Sequence, residues 1–236
     1  MPLLEAKKIS KTYYSDGVET PVLFDISFSI EKGELVAITG PSGSGKSTLL
    51  HIVGFLDEPT TGTFCLNDKC MMDYTDEEIA KIRNREMGFV FQAFNLLPRT
   101  SVYDNVKLPL LYSDIPEKDW EKNIWDAIKS VGLEHRADHL SHQLSGGEKQ
   151  RVAIARSLVC KPNVIFADEP TGNLDTKSEK KIMDILRELN EKEGHTIIII
   201  THDPVVASYA HRNIHIIDGQ IHSDRKSKKN KTPKKR

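Results

Sequence analysis

Several things are scarce in this chain of 236 residues. No apolar run approaches the ~20 residues a helix needs to cross a bilayer, so any tie to a membrane must come through a partner or a surface. The opening stretch, Met1-Pro2-Leu3-Leu4-Glu5-Ala6-Lys7-Lys8, lacks the charged-then-apolar layout of a secretory leader, and none is expected. Only three cysteines occur, Cys65, Cys70 and Cys160, and no two form a Cys-x-x-Cys pair. That excludes a disulfide scaffold, and three reduced thiols in a cytosolic setting are expected. No repeat of about 20–50 residues is visible, which excludes a solenoid.

What remains is an ordinary globular composition, with 38% hydrophobic and 28% charged residues. The length suits one domain with a sizeable core and room for an inserted subdomain. The net charge of −1 hides an asymmetry. Eight of the 33 Lys and Arg lie between Arg225 and Arg236, with no acid among them, which leaves 25 basic against 34 acidic residues in 1–224. An acidic body offers no nucleic-acid-binding face. The segment 225–236 reads as a solvated, disordered tail. Its alternative role is attraction to an anionic membrane surface, where each basic residue adds ~1 kcal/mol.

The order of elements gives the fold class. The first 40 residues read as short strands with turns, and 35–39 is a buried strand. A glycine-rich loop and a helix over 46–54 follow. A helix over 77–85 precedes a short buried strand at 87–91. The stretch 93–109 is irregular. Trp120, Ile124, Ala127, Ile128 and Val131 then fall at helical spacing, with Gly132 placed to stop the helix and the tryptophans assigned to the core. A helix over 148–159, a strand at 164–167, a helix marked by Ile182, Ile185, Leu186 and Leu189, and a strand at 196–200 complete the alternation. Asp203-Pro204 opens a short helix, and two closing strands flank Asp218-Gly219. Such alternation implies an α/β fold whose parallel sheet is covered on both faces. The expected organisation is a single domain over 1–224 with a helical subdomain inserted at about 93–158.

Two motifs carry chemistry. Gly40-Pro41-Ser42-Gly43-Ser44-Gly45-Lys46-Ser47 matches the phosphate-binding pattern G-x-x-x-x-G-K-[ST] in full, between an apolar strand and a helix. Its glycines let N–H groups converge on a polyphosphate, and the helix N-terminus adds positive partial charge. Lys46 offers a point charge to the β and γ phosphates of ATP, and Ser47 a hydroxyl to Mg²⁺. Asp168 and Glu169 end the strand 164–167. A carboxylate there can hold Mg²⁺, and its neighbour can orient or deprotonate the attacking water. His135, His139 and His142 lack a further ligand pattern and read as solvated rather than zinc-binding.

Leu144-Ser145-Gly146-Gly147-Glu148 narrows the class, because it resembles the signature motif of ABC-type ATPases. The resemblance covers about 220 residues of the 236. It implies a P-loop (RecA-like) parallel sheet with an N-terminal antiparallel β subdomain, ATP and Mg²⁺ as ligands, and ATP hydrolysis. On it, Tyr13 of Lys11-Thr12-Tyr13 stacks on adenine, with Tyr14 as the other candidate. Gly40, Ser42, Gly43, Ser44, Gly45, Lys46, Ser47 and Thr48 hold the nucleotide. Ser47, Gln92 and Asp168 meet the metal. Glu169 is the general base, and His202 of Thr201-His202-Asp203 contacts the γ-phosphate. Asn173-Leu174-Asp175 crosses a homodimer interface, where Ser145, Gly146 and Gly147 of one chain close on the ATP of the other. Glu148 departs from the glutamine many members carry, as several branches do.

The finer text, including 49–54, 94–98, 103–106, 131–137 and 167–175, resembles the lipoprotein-release and macrolide-export group of ATP-binding subunits, and the lipoprotein-releasing branch most. The cell-division branch shares several phrases. The resemblance implies a peripheral motor at the cytoplasmic face of the inner membrane, driving permease subunits and extracting lipoproteins. Phe94, Leu96, Leu97 and Pro98 would form the groove for a permease helix. A soluble ABC ATPase acting on nucleic acid and a purely signalling scaffold are the rival functions. Removing 225–236 is expected to weaken binding to anionic vesicles in a low-salt sedimentation assay. Unchanged binding would exclude the membrane role of the tail.

Overall fold

The computed structural model describes residues 1–15 and 17–226, so most of the basic segment lies outside the described residues. Strands β1 (Leu4–Ser15) and β2 (Val18–Ile30) pair antiparallel and are longer than the short strands expected. They tolerate their polar residues through register shifts, around which Lys8 and Asp25 take positive φ and bond to Ser27 and Ser10 hydroxyls. Two strands not anticipated, β4 (Thr61–Leu66) and the two-residue β5 (Lys69–Cys70), complete a sheet of order β2-β1-β4-β5. Cys65 and Cys70 sit directly opposite across this hairpin and are joined as a disulfide. The expectation of three reduced thiols therefore fails, and only Cys160, buried, is free.

The second sheet comprises β3 (Leu35–Thr39), β6 (Met87–Phe91), β7 (Val164–Asp168), β8 (Thr196–Thr201), β9 (Arg212–Ile217) and β10 (Gln220–Lys226). Its order is β10-β9-β3-β8-β7-β6, parallel throughout except at β10, which turns back at Asp218-Gly219. Arg225 and Lys226 belong to β10, so a truncation that spares the sheet begins after Lys226.

Alternate strand residues serve two cores, as a doubly covered sheet requires. Leu35, Ala37, Ile165, Ala167, Ile197 and Ile199 pack with α3 (Val102–Lys107), α4 (Trp120–Ser130), α5 (Gly146–Leu158), α6 (Thr176–Glu193) and α7 (Pro204–Ala207). Val36, Ile38, Phe166, Ile198, Ile200 and Ile214 pack with α1 (Lys46–Val53), α2 (Asp76–Glu86) and the antiparallel sheet. Each fully buried aliphatic side chain contributes ~1.5–3 kcal/mol. Burying both faces in this way aligns the C-terminal ends of β3, β6, β7 and β8 along one edge. Thr39 pairs with Thr201, and Asp168 lies between Phe91 and Ile200.

In the helical stretch, α5 begins at Gly146, two residues before the expected start, because Ser145 caps it. Trp120 packs against the core and donates its indole N–H to the Ile115 carbonyl at 2.8 Å. Trp125, assigned to the core from sequence, lies instead at the surface against Tyr103.

Arg212 fastens the far edge. Its guanidinium takes both Asp224 oxygens (2.7 and 2.6 Å), Glu34 (3.1 Å) and the Ser29 carbonyl (2.7 Å), tying β9 to β10 and to the turn before β3. The side chain is nearly buried, so truncation removes the counter-charge of Glu34, which keeps only the Glu31 N–H at 3.1 Å, and the side-chain donor of the Ser29 carbonyl. Arg212→Ala is expected to lower unfolding stability by about 2 kcal/mol in urea titration. Asp224→Ala, at the more exposed end of the network, should cost less than half as much.

Candidate active site

The loop 40–47 joins β3 to α1 where the strand leaves the sheet edge. Gly40 approaches β9 so closely that a Cβ would sit 2.1 Å from the Ile216 carbonyl oxygen, and at Gly45 (φ 92°) one would sit 2.7 Å from the Leu23 side chain. Glycine is therefore the only residue that lets the loop wrap there. Helix α1 has no side-chain cap, which leaves its first N–H groups open to an anion. Lys46 is buried and donates to the carbonyls of Gly40 (2.9 Å) and Pro41 (2.7 Å) of its own loop. Burial lowers the pKa of its ammonium, while Glu169 and Asp168 pull the other way. The Ser44 hydroxyl is buried without a partner among the described residues. Ser42, Gly43 and Ser47 are exposed, and Thr48 is half-buried. Open N–H groups, an orphaned hydroxyl and a cation folded onto carbonyls fit a polyphosphate.

Two carboxylates follow from β7. Burial, and next the Glu169 charge, raise the Asp168 pKa, against the opposing pull of His51 and Lys46. A carboxylate strained in this way suits an added cation. Among the described residues no three His, Cys, Asp or Glu side chains assemble a metal cage. A hydroxyl, an amide and one carboxylate, as Ser47, Gln92 and Asp168 offer, fit Mg²⁺, which takes its remaining oxygens from phosphate and water. Glu169 holds φ at 43°, a strained value. Its carboxylate accepts from the His202 N–H (3.0 Å) and the Thr201 hydroxyl (3.0 Å), and meets His202 Nδ1 at 2.6 Å. The base candidate is thus pinned to the end of β8, with the His202 ring turned outward.

Gln92 follows β6 at the same edge. Its amide faces Asn173 Oδ1 at 3.4 Å, and Asn173 donates back to the Gln92 carbonyl at 3.1 Å. Asp175 caps α6 by accepting from the Lys177 and Ser178 N–H groups, both at 3.0 Å. Gly147 presses against that cap, where a Cβ would lie 2.8 Å from Ser178 Oγ. Ser145, Gly147, Glu148, Asp175 and Ser178 line a cavity of about 380 Å³ whose walls include no residue of the loop 40–47. Lys46, Asp168, Glu169, His202 and Gln92 thus share one edge, whereas Ser145 and Gly147 line a separate surface. Tyr13 is held by its hydroxyl to Asp57 (3.0 Å), beneath Lys11, while Tyr14 is largely exposed.

Sequence reasoning missed three supporting residues. Lys11 and Asp57 pair at 2.7 Å and fix the Tyr13 ring. Gln150, wholly buried on α5, donates to the carbonyls of Pro170 (2.6 Å) and Phe91 (3.3 Å), clamping the segments that carry Glu169 and Gln92. The available signal for Gln150 was a neutral amide beside the apolar run that follows it in that helix.

This architecture has known relatives. The ABC transporter family model matches residues 23–172. The macrolide export ATP-binding/permease protein MacB of Bdellovibrio bacteriovorus is 49% identical over 223 residues, 94% of this chain but 34% of that protein. The chain thus spans about a third of that relative. An uncharacterized ABC transporter ATP-binding protein, YvrO of Bacillus subtilis, is 48% identical over 93% of this chain and 95% of its own length. Among solved structures, the dimeric ABC transporter cassette MJ0796 superposes with a TM-score of 0.85 at 42% identity, covering 94% of this chain and 98% of that one. The same cassette is also known as a post-hydrolysis dimer bound to ADP and Pi. The chain belongs to the ABC transporter ATP-binding family and is an ABC ATPase.

Lys46→Ala removes a buried charge from the loop. It is expected to weaken binding of a fluorescent ATP analogue by about tenfold to a hundredfold. Binding at the parent level would displace Lys46 from the phosphate site.

Proposed function

We propose that two copies of this chain close head to tail over two ATP molecules and so drive a membrane permease. One observation carries this reading: the phosphate loop and the signature segment, both needed around one nucleotide, line separate surfaces of the same chain. The dimeric cassette that superposes on it supports the same arrangement. In this reading Gly40, Ser42, Gly43, Ser44, Gly45, Lys46, Ser47 and Thr48 cradle the phosphates, and Tyr13 stacks on adenine. Ser47, Gln92 and Asp168 would hold Mg²⁺, which would supply charge neutralisation to the polyphosphate. Glu169 takes the proton from the attacking water, and His202 holds Glu169 and faces the γ-phosphate. Ser145, Gly146 and Gly147 complete the site of the opposite copy.

The permease would dock on an apolar cavity of about 550 Å³, lined in part by Leu56, Phe89, Phe91, Leu108, Pro109 and Tyr112. This cavity is distinct from the groove expected at Phe94, Leu96, Leu97 and Pro98, none of which lines it. Leu96 packs against the core, and the Phe94 carbonyl accepts from Arg156 at 2.9 Å. Phe91 leads directly to Gln92, which places the cavity next to the nucleotide edge. No helix among the described residues is long and apolar enough to cross a membrane. A peripheral place on the cytoplasmic face of the inner membrane follows from the reading.

For cargo, the phrases of 49–54, 131–137 and 167–175 favour release of lipoproteins. The macrolide-export relatives favour export through a permease of related type.

Glu169→Gln should bind ATP, lose hydrolysis and trap a dimer visible by light scattering. Capture of that trapped form from native membranes should bring a pair of permeases with large extracytoplasmic domains for lipoprotein release, or one such permease for export or cell division. Tyr112→Asp in the same background should keep the dimer and lose the permease. Normal hydrolysis by Glu169→Gln would remove the base assignment, and the absence of any membrane partner would sink the motor reading.

A further inference from the structure

The last residue of the signature segment is a carboxylate placed where an anion is due to arrive. Glu148 Oε2 accepts from the Ser145 N–H (2.9 Å) and from the Ser145 hydroxyl (2.8 Å), while Ser145 Oγ accepts from the Glu148 N–H at 3.3 Å. This reciprocal cap starts α5. It also spends the Ser145 hydroxyl proton on Glu148. A hydroxyl in that state cannot donate to a phosphate, and an uncompensated carboxylate beside it repels one.

The second oxygen of the carboxylate is engaged from outside the helix. Glu148 Oε1 forms an ion pair with Arg136 Nε at 3.2 Å, oblique rather than aligned as a hydrogen bond. Arg136 sits in the turn Glu134–Arg136 and is steadied by His139, whose Nε2 lies 2.8 Å from Arg136 Nη1. His139 is anchored in turn through its carbonyl, which accepts from the Val102 N–H at 3.0 Å. Arg151, the other cation acting on Glu148, donates to the carbonyls of Val131 (3.2 Å) and Gly132 (3.4 Å) and is buried. The Glu148 pKa is lowered, first by the Ser145 bonds and then by these two arginines, so the carboxylate is charged when ATP approaches.

We propose that Arg136 is a positioning residue for the signature segment: it neutralises Glu148 and holds its carboxylate in the cap, freeing the Ser145 hydroxyl to turn from Glu148 to the γ-phosphate on the opposite copy. The proposal rests on the two-ATP dimer of the preceding section. It assigns a partner to the glutamate that closes the signature segment. A glutamine would need no counter-charge.

The test uses the full chain in the Glu169→Gln background, with ATP-dependent dimerisation read by light scattering and ATP binding read separately on dilute monomer. Arg136→Ala should weaken ATP-dependent dimerisation about tenfold or more while leaving monomer ATP binding unchanged. The defect should grow as salt is lowered, since screening of the freed carboxylate falls. Adding Glu148→Gln to Arg136→Ala should restore most of the dimer. A structural role for Arg136 predicts the opposite, a double variant no better than Arg136→Ala at any salt, and that result would overturn the proposal. Unchanged dimerisation by Arg136→Ala would overturn it as well. Failure of the parent Glu169→Gln to dimerise with ATP would instead overturn the two-ATP reading, and the proposal with it.

Discussion

The Lys46 ammonium is buried at the mouth of a parallel sheet, with the carbonyls of its own loop as its partners. A cation in that position costs free energy that two carbonyl bonds only partly offset. The same edge carries Asp168, whose pKa is raised, and an α1 N-terminus without a cap. These are complementary deficits. A polyphosphate relieves the lysine and the helix end, and its accompanying divalent cation relieves the aspartate. In the proposed reading, Mg²⁺ and nucleotide arriving together would complete the electrostatics of a loop that is exposed at Pro41, Ser42 and Gly43.

The rest of the fold serves to hold these groups at one edge. Strands β3, β7 and β8 are buried on both faces, so their register is set by packing rather than by turns. A slip of one residue in β7 would move Asp168 off the edge and exchange the two cores' side chains. Gln150 adds a clamp that packing alone does not supply. It bonds the carbonyl of Phe91, the last residue of β6, and that of Pro170, two residues beyond β7, to α5, the helix that the signature segment opens. The helical stretch is thereby fastened to the nucleotide edge at the two strands that carry Gln92 and Glu169.

Much of this was legible in the sequence, and the reasons differ by element. The continuous apolar strands, the phosphate loop and the carboxylate pair are local patterns with strict spacing, and the elements around them fell within a residue or two. The hairpin of β4 and β5 was not legible, because Thr61 to Leu66 has little apolar alternation and Lys69-Cys70 is too short to leave a pattern. The disulfide between Cys65 and Cys70 depends on that unseen register. The apolar cavity beside Phe91 was not legible for a related reason, since its lining comes from segments distant in sequence. Phe94, Leu96 and Leu97 read as one apolar cluster, yet positive φ values at Phe94 and Asn95 turn successive side chains to different sides of the loop, and Leu96 goes inward. Lys11, Asp57, Arg136 and Gln150 were invisible because each acts on a partner distant in sequence, or on a backbone carbonyl that any residue provides.

A common logic joins the groups that must meet ATP. Lys46 bonds the carbonyls of Gly40 and Pro41, the Gln92 amide faces Asn173, and the Ser145 hydroxyl donates to Glu148. In the proposed closed dimer each of these groups has a different partner: phosphate, metal and the opposite copy's γ-phosphate. The Ser145 hydroxyl has one proton and cannot serve both at once, so it is a two-position element, whereas the Lys46 ammonium and the Gln92 amide carry further donors or acceptors. Contact alone does not carry coupling between sites, whereas an element with two exclusive arrangements does. Gln92 is the informative case. Its resting contact is long at 3.4 Å and weak, it lies one residue from the cavity that would receive a permease, and Asn173 precedes the Leu174 that packs near Gly146. In the proposed closed dimer a turn of the Gln92 side chain toward the metal would loosen its contact with Asn173 Oδ1, while Asn173 would keep its bond to the Gln92 carbonyl. In that reading the link between nucleotide and permease would depend on how cheaply Gln92 turns, and a 3.4 Å amide contact costs little to give up.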